Sequence, residues 1–161
     1  MSSAVTFRCD IEPSDPERIR ALVESTGVFS PMEVVIAVEL ADERLVKGPA
    51  SGYHFVFAEL DGRVVGYACY GPIALTVGSY DLYWIAVDKS VQGQGLGRKI
   101  MDKVTEIIRA EGGRHIYIET STKPQYQATR AFYERCGCPL AAILEDFYAP
   151  GDSKAIYYRK V

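Results

Sequence analysis

Between Trp84 and Arg98 the chain reads Trp-Ile-Ala-Val-Asp-Lys-Ser-Val-Gln-Gly-Gln-Gly-Leu-Gly-Arg, and this stretch restricts the fold more than any other. An apolar run ends at Val87, a short polar segment follows, and Gly93, Gly95 and Gly97 lead into a long amphipathic stretch. That order predicts a strand, a glycine turn and a helix. A helix N-terminus offers unpaired N–H groups and the positive end of the macrodipole. Glycine, having no Cβ, lets a ligand come close to the backbone. Together they form a site for a phosphate or pyrophosphate. Two familiar templates fail on spacing. The dinucleotide fingerprint wants G-x-G-x-x-G directly after the strand, whereas here five residues separate Val87 from Gly93 and the glycines run G-x-G-x-G. The P-loop needs a Lys-Ser or Lys-Thr after its last glycine, and none follows Gly97. A flexible loop capping a helix is the bland alternative; the strand before and the helix after count against it.

Composition narrows the class. At 161 residues the chain is read as one domain, 1–161, long enough to bury a core. A formal charge of −3 gives no basic footprint for nucleic acid. No apolar run reaches the roughly 18–20 residues that cross a bilayer, and the N-terminus lacks the apolar region of a signal peptide. The expectation is a cytoplasmic protein with no membrane and no nucleic-acid partner. Of Cys9, Cys69, Cys136 and Cys138, only the last two are close, as C-x-C, and neither they nor His54 and His115 complete a metal site. No metal is expected.

Along the chain, Val5–Cys9 reads as a strand, and Ser14-Asp15-Pro16-Glu17 as a helix start capped by Ser14. Ser30-Pro31-Met32-Glu33 carries a capping box ahead of a helix from Val34 to about Leu45. Tyr53–Leu60 and Val64–Tyr70 flank Asp61-Gly62, a hairpin signal. Tyr80–Val87 is the strand before the glycines. In the helix after them, Leu96, Ile100, Met101, Val104, Ile107 and Ile108 fall within an arc of roughly 140° and so face a sheet. His115–Thr120 reads as a strand, Tyr126–Cys136 as a helix, and Leu140–Phe147 with Ala155–Lys160 as two strands around Pro150-Gly151-Asp152. The order predicts an α/β chain (α+β, a mixed sheet with helices against it).

Gln92-x-x-Gly95-x-Gly97 resembles the pyrophosphate-binding motif, [Q/R]-x-x-G-x-[G/A], of the GNAT superfamily of N-acetyltransferases, and the element order from about residue 53 onward is similar to that fold. The resemblance implies a mixed, mostly antiparallel central sheet flanked by about four helices, with a splayed pair of parallel strands whose cleft holds acetyl-CoA. It places the pantetheine arm on the backbone of Ile85, Ala86 and Val87, and the pyrophosphate on the N–H groups of Gln92, Gly93, Gln94, Gly95, Leu96, Gly97 and Arg98. Arg98 and Lys99 add charge there or form a solvated helix face.

A second cluster, Thr129-Arg-Ala-Phe-Tyr-Glu-Arg-Cys-Gly137, resembles the family's A-x-x-[F/L]-Y-E-x-x-G segment, with Cys138 where an aromatic is usual. Phe132 is expected to face the core with Ala128 and Cys136, leaving Tyr133 at the flank with its hydroxyl toward the cleft. A phenol with pKa near 10 can protonate a departing thiolate, and the resemblance puts Tyr133 in that general-acid role. In His115-Ile-Tyr-Ile-Glu-Thr, alternation puts Tyr117 and Glu119 on one face. Partial burial of Glu119 would raise its pKa toward working pH, which suits a base, and Glu119 matches the base of ribosomal-protein N-terminal acetyltransferases. The other readings are a glutamate that holds the cleft shape, Asp81 as base, and a water chain serving either carboxylate.

Two departures stand out. The family often has a pantetheine-binding Asn seven residues before the tyrosine; that position is Tyr126 here, so the contact shifts to a glutamine, Gln127, or is lost. The tail Glu145-Asp-Phe-Tyr-Ala-Pro-Gly-Asp-Ser-Lys resembles the closing segment of protein N-terminal acetyltransferases and of bacterial members with an F-Y-A-P-G-D motif. Tyr148 and Asp152 there are acceptor-contact candidates, or members of a plain turn. The resemblance therefore implies transfer of an acetyl group from acetyl-CoA to a primary amine, by direct attack in a ternary complex. The acceptor is a small molecule or a protein N-terminus, and a homodimer is compatible with it. The competing expectations are a catalytically silent acyl-CoA-binding sensor and a nucleotide-binding fold.

Overall fold

A computed structural model describes residues 4–161; Met1–Ser3, part of the stretch read for a leader, lie outside the described residues. The elements are β1 (Thr6–Arg8), α1 (Asp15–Ser25), α2 (Pro31–Lys47), β2 (His54–Leu60), β3 (Arg63–Pro72), β4 (Ser79–Val87), α3 (Leu96–Ala110), β5 (His115–Ser121), α4 (Gln127–Arg135), β6 (Leu140–Ala149) and β7 (Asp152–Lys160). The strands form one seven-stranded sheet in the order β1-β2-β3-β4-β5-β7-β6. It is the expected mixed sheet. β4 and β5 are parallel, while β1–β2, β2–β3, β5–β7 and β6–β7 are antiparallel.

The chain divides into two compact units, one of residues up to Gly71 with Trp84–Val104, the other of Pro72–Tyr83 with Thr105–Val161. In the first, Asp61 and Gly62 both take left-handed φ, 51° and 76°, as a two-residue hairpin turn requires. Ser30 and Glu33 complete the predicted capping box, so α2 starts where expected. Ile19, Leu22 and Val23 of α1 and Val34, Ala37, Val38 and Ala41 of α2 bury against Phe55, Phe57 and Tyr67 of β2 and β3.

The start of α1 differs from expectation. Ser14 has helical backbone angles and makes no capping bond. Asp15 takes over: its fully buried carboxylate accepts the Glu12 N–H at 2.7 Å and a fork from Arg8 at 2.8 and 3.0 Å. Arg8 also reaches Glu59 at 2.7 Å, which ties β1 to β2 and to the α1 entry. Charge patterning in the sequence had no way to show this pairing across 51 residues.

In the second unit the parallel ladder pairs Ser79–Leu82 with His115–Ile118, while β4 runs on to Val87 and β5 to Ser121. This is the parallel pair of the mixed sheet. β6 and β7 are longer than predicted, and their pairing breaks register between Leu144 and Ala149, where Asp146 takes φ 52°.

Burial works to raise the Asp15 pKa, but the hydrogen bonds from Arg8 and from the Glu12 backbone prevail and hold it below the ordinary carboxylate value. A group depressed in the fold stabilises above its unfolded pKa, about 3.9, and that stability is lost as pH falls through the lower folded value. Asp15→Asn is therefore expected to cost about 1.5–3 kcal/mol at pH 7, because it removes the charged half of the fork from Arg8, which keeps Glu59 and Glu12 as partners. Urea unfolding at pH 7 and pH 3 checks this: the gap between variant and wild type must narrow at the lower pH.

Candidate active site

The β4–α3 junction is built from backbone and short polar contacts. Asp88 accepts the Ser90 N–H at 2.9 Å and closes a 3-10 turn over Lys89–Val91, and its own N–H reaches the Val65 carbonyl at 2.8 Å. The Ser90 hydrogen bonds lower the Asp88 pKa against a smaller opposing effect of burial. Gln92 then donates its side-chain amide to the Val87 carbonyl at 3.0 Å, clamping the loop back on the end of β4. Gly93 and Gly95 follow with φ of +78° and +79°, conformations costly for any residue with a Cβ. Among the described residues, a Cβ at either would meet no atom within 4 Å beyond its own chain neighbours. The open side of the loop is therefore free to face a ligand, and left-handed backbone, not internal crowding, is what demands glycine. Gly97 is different: it lies in the first turn of α3 and is not left-handed.

Helix geometry leaves the N–H groups of Leu96, Gly97 and Arg98 without intrahelical acceptors, and the first bond runs from the Lys99 N–H to the Gly95 carbonyl at 3.2 Å. Leu96 and Ile100 are buried and anchor the helix, whereas Arg98 and Lys99 are exposed. Of the strand candidates, Ala86 is buried and Ile85 and Val87 are half-buried. Gln127 is exposed at the first position of α4, and the neighbouring Tyr126 is buried.

Tyr133 is placed otherwise than the helical-wheel argument predicts. It is the buried residue of α4, 6% exposed, while Phe132 is half-buried and Ala128 exposed. Its ring lies 5.9 Å from that of Tyr157 on β7. A Schellman closure explains its surroundings: with Gly137 at φ +77°, Gly137 N–H bonds the Glu134 carbonyl and Cys138 N–H bonds the Tyr133 carbonyl, both at 3.0 Å. The closure folds Cys138 back beside Tyr133. Burial, then Cys138 and Cys136, push the Tyr133 phenol well above its ordinary pKa. Burial likewise pushes the Cys138 thiol up to about 11, against Arg159 and with Cys136.

Glu119 occupies a different environment. Its side chain is 49% exposed, not partly buried as expected, and it pairs with Lys154 Nζ at 2.8 Å. The register explains the pair. Glu119 faces Ile156 and Ser121 faces Lys154, so Lys154 is the same-face diagonal neighbour of Glu119. Asp81 pairs with Tyr117 and joins that face. Burial raises the Asp81 pKa, Glu119 raises it further, and Lys154 opposes both. Tyr133 packs on Tyr157, which is opposite Ile118, so Tyr133 and Glu119 address opposite faces of the β5–β7 ladder.

Sequence reasoning missed Lys154. Lys154 lies one residue before the strand expected from Ala155, and without the register nothing linked it to Glu119. Its ammonium lies 3.6 Å from the Phe147 ring centroid and 5.7 Å from that of Tyr148. Asp152, an acceptor-contact candidate, is buried and accepts from the Ser121 hydroxyl, with Lys123 at 3.5 Å. Tyr148 stays about half exposed.

The acetyltransferase (GNAT) family profile matches residues 21–138, and the chain belongs to that family. It is similar to the N-alpha-acetyltransferase RimI of Mycobacterium tuberculosis, 28% identical over 108 residues, 66% of this chain and 65% of that relative. The match thus spans just under two thirds of the curated relative's length. Among solved structures, one from Desulfovibrio desulfuricans, described as a GNAT-family acetyltransferase, is 50% identical with a TM-score of 0.95 over 98% of this chain and 99% of that one. An aminoglycoside 6'-N-acetyltransferase complexed with coenzyme A shares the fold at 14% identity, with a TM-score of 0.75 over 98% and 96% of the two chains.

The three charges on one face make a prediction independent of any substrate. Carbon-detected NMR of the Asp81 carboxyl is expected to show titration above the ordinary carboxylate pKa. Glu119→Gln should lower that value, and Lys154→Met should raise it. No movement in either variant would mean that the charges do not couple.

Proposed function

We propose that residues 1–161 act as one N-acetyltransferase domain that carries an acetyl group from acetyl-CoA to a primary amine by direct transfer in a ternary complex. The observation that carries this reading is the β4–α3 junction, where two left-handed glycines with open Cβ positions precede the bare N–H groups of a helix. Those features suit a pyrophosphate. Gln92 through Arg98 would hold it, Ile85–Val87 would hold the pantetheine arm, and Gln127 takes the place of the family's usual asparagine. Arg98 and Lys99, exposed beside the helix start, add positive charge. The relative complexed with coenzyme A supports the choice of donor.

Acetyl-CoA supplies an activated thioester acyl group. Glu119 takes the proton that the acceptor nitrogen loses as it attacks, with Asp81 as the second carboxylate on that face. Tyr133 gives its proton to the departing sulfur. A phenol is protonated at neutral pH, as an acid must be. Cys138 supports direct transfer: a thiol pushed up to about 11 is a poor nucleophile at neutral pH. The RimI relative and the aminoglycoside enzyme point to a protein N-terminus and a small-molecule amine respectively as acceptor classes. A cytoplasmic location fits the four free cysteines.

The test is acetyl-CoA consumption across a panel of amines and peptides. Tyr133→Phe should lower kcat by about 10²–10⁴-fold, the range for a lost general acid, with acetyl-CoA affinity unchanged. An unchanged kcat would remove Tyr133 from the chemistry. Binding without turnover across the panel would favour a sensor.

A further inference from the structure

Lys154 is held as a bound ammonium ion would be held. Its side chain is 11% exposed, yet the groups around it, Glu119 at 49%, Phe147 at 52% and Tyr148 at 47%, stand half open at the surface. Glu119 Oε2 takes the ammonium at 2.8 Å, and the Phe147 ring covers it at 3.6 Å with Tyr148 beyond at 5.7 Å. A carboxylate together with aromatic faces is the arrangement that recognises a cation by charge and ring quadrupole. The ring-bearing segment is also the part of the β6–β7 hairpin that leaves the ladder, between Leu144 and Ala149. Lys154 hangs on a flexible four-carbon stem, so the occupant can swing while the walls remain. Glu119 and Asp81 share their face with Lys154, and Asp81 senses both of the others. Lys123 is paired with Asp152.

We propose that Glu119, Phe147 and Tyr148 form a recognition site for a primary alkylammonium ion, which Lys154 fills in this state and which an incoming amine enters as Lys154 leaves it. The inference rests on the acetyltransferase reading and deepens it, because an ammonium seated there already touches the carboxylate assigned to take its proton. It names the acceptor class as cationic primary amines with an unbranched alkyl approach that fits between two rings. Lys154 then excludes neutral or anionic compounds by holding the site until a competing cation arrives.

The test needs no acetyl-CoA and no turnover. Lys154→Ala removes the internal occupant, and the probe is n-propylammonium, with 1-propanol as its neutral counterpart. Ring resonances of Phe147 and Tyr148 report binding by NMR. The variant is expected to bind propylammonium at least tenfold more tightly than wild type, to ignore propanol, and to lose the gain when Glu119→Gln is added. Lys154→Gln, which keeps most of the stem, guards against a folding defect and should show a smaller gain in the same direction. Equal propylammonium binding by wild type and both folded variants, or equal binding of propanol, overturns the proposal. Because the readout is binding, such a failure leaves the transfer reading standing. Conversely, ammonium capture in a protein that transfers no acetyl group would sink that reading alone.

Discussion

One side-chain hydrogen bond sets the geometry of the β4–α3 junction, the proposed donor site: the Gln92 amide donating to the Val87 carbonyl at 3.0 Å. Val87 ends β4, and Gln92 comes just before the first left-handed glycine. Bonding the two fixes the chain's exit from the strand and aims the turn at Gly93 and Gly95 into the start of α3. Without that clamp the helix N-terminus would still carry its dipole, but its N–H groups would follow a loop of undetermined path. A net hydrogen bond is worth only about 0.5–1.5 kcal/mol, so its value lies in orientation more than in stability. The Asp88–Ser90 turn and the bond from Asp88 to Val65 hold the same segment from its other end.

In the second unit one ion pair on the sheet face stands out. Glu119 and Asp81 lie on one face of the sheet, and Lys154 is the cation that reaches Glu119. Burial and then Glu119 raise the Asp81 pKa, and Lys154 opposes them. On the opposite face, burial alone does most of the work on Tyr133. The helix closure at Gly137 brings two thiols, not charges, beside it, so nothing there pulls the phenol toward ionisation.

How far the sequence could be read depended on the range of the interactions involved. Local rules performed well: the Ser30 capping box, the Asp61-Gly62 turn and the strand–glycine–helix order of residues 84–98 all involve neighbours in the chain. The sequence treated Gly93, Gly95 and Gly97 alike, as sites of close backbone approach, and did not distinguish the left-handed Gly93 and Gly95 from Gly97, which lies in the first turn of α3. The wheel argument misassigned Phe132 and Tyr133 because a nine-residue helix closed by a Schellman turn is oriented by its end contacts more than by its apolar arc. Lys154 and Arg8 were out of reach altogether. Each finds its partner through strand register or a contact dozens of residues away, which composition and periodicity do not encode.

The central claim is that the β4–α3 junction is made for the pyrophosphate of an acyl-coenzyme A. Isothermal titration of wild type and Gly95→Ala with acetyl-CoA, ADP and NAD tests it most directly. Gly95 has φ of +79°, where a side chain costs about 1–2 kcal/mol, enough to reshape or loosen the turn. The account predicts one acetyl-CoA site per chain, at least tenfold weaker in the variant, with ADP and NAD binding far less tightly. Tight ADP or NAD binding without acetyl-CoA binding, or an affinity for acetyl-CoA that Gly95→Ala leaves unchanged, would contradict it.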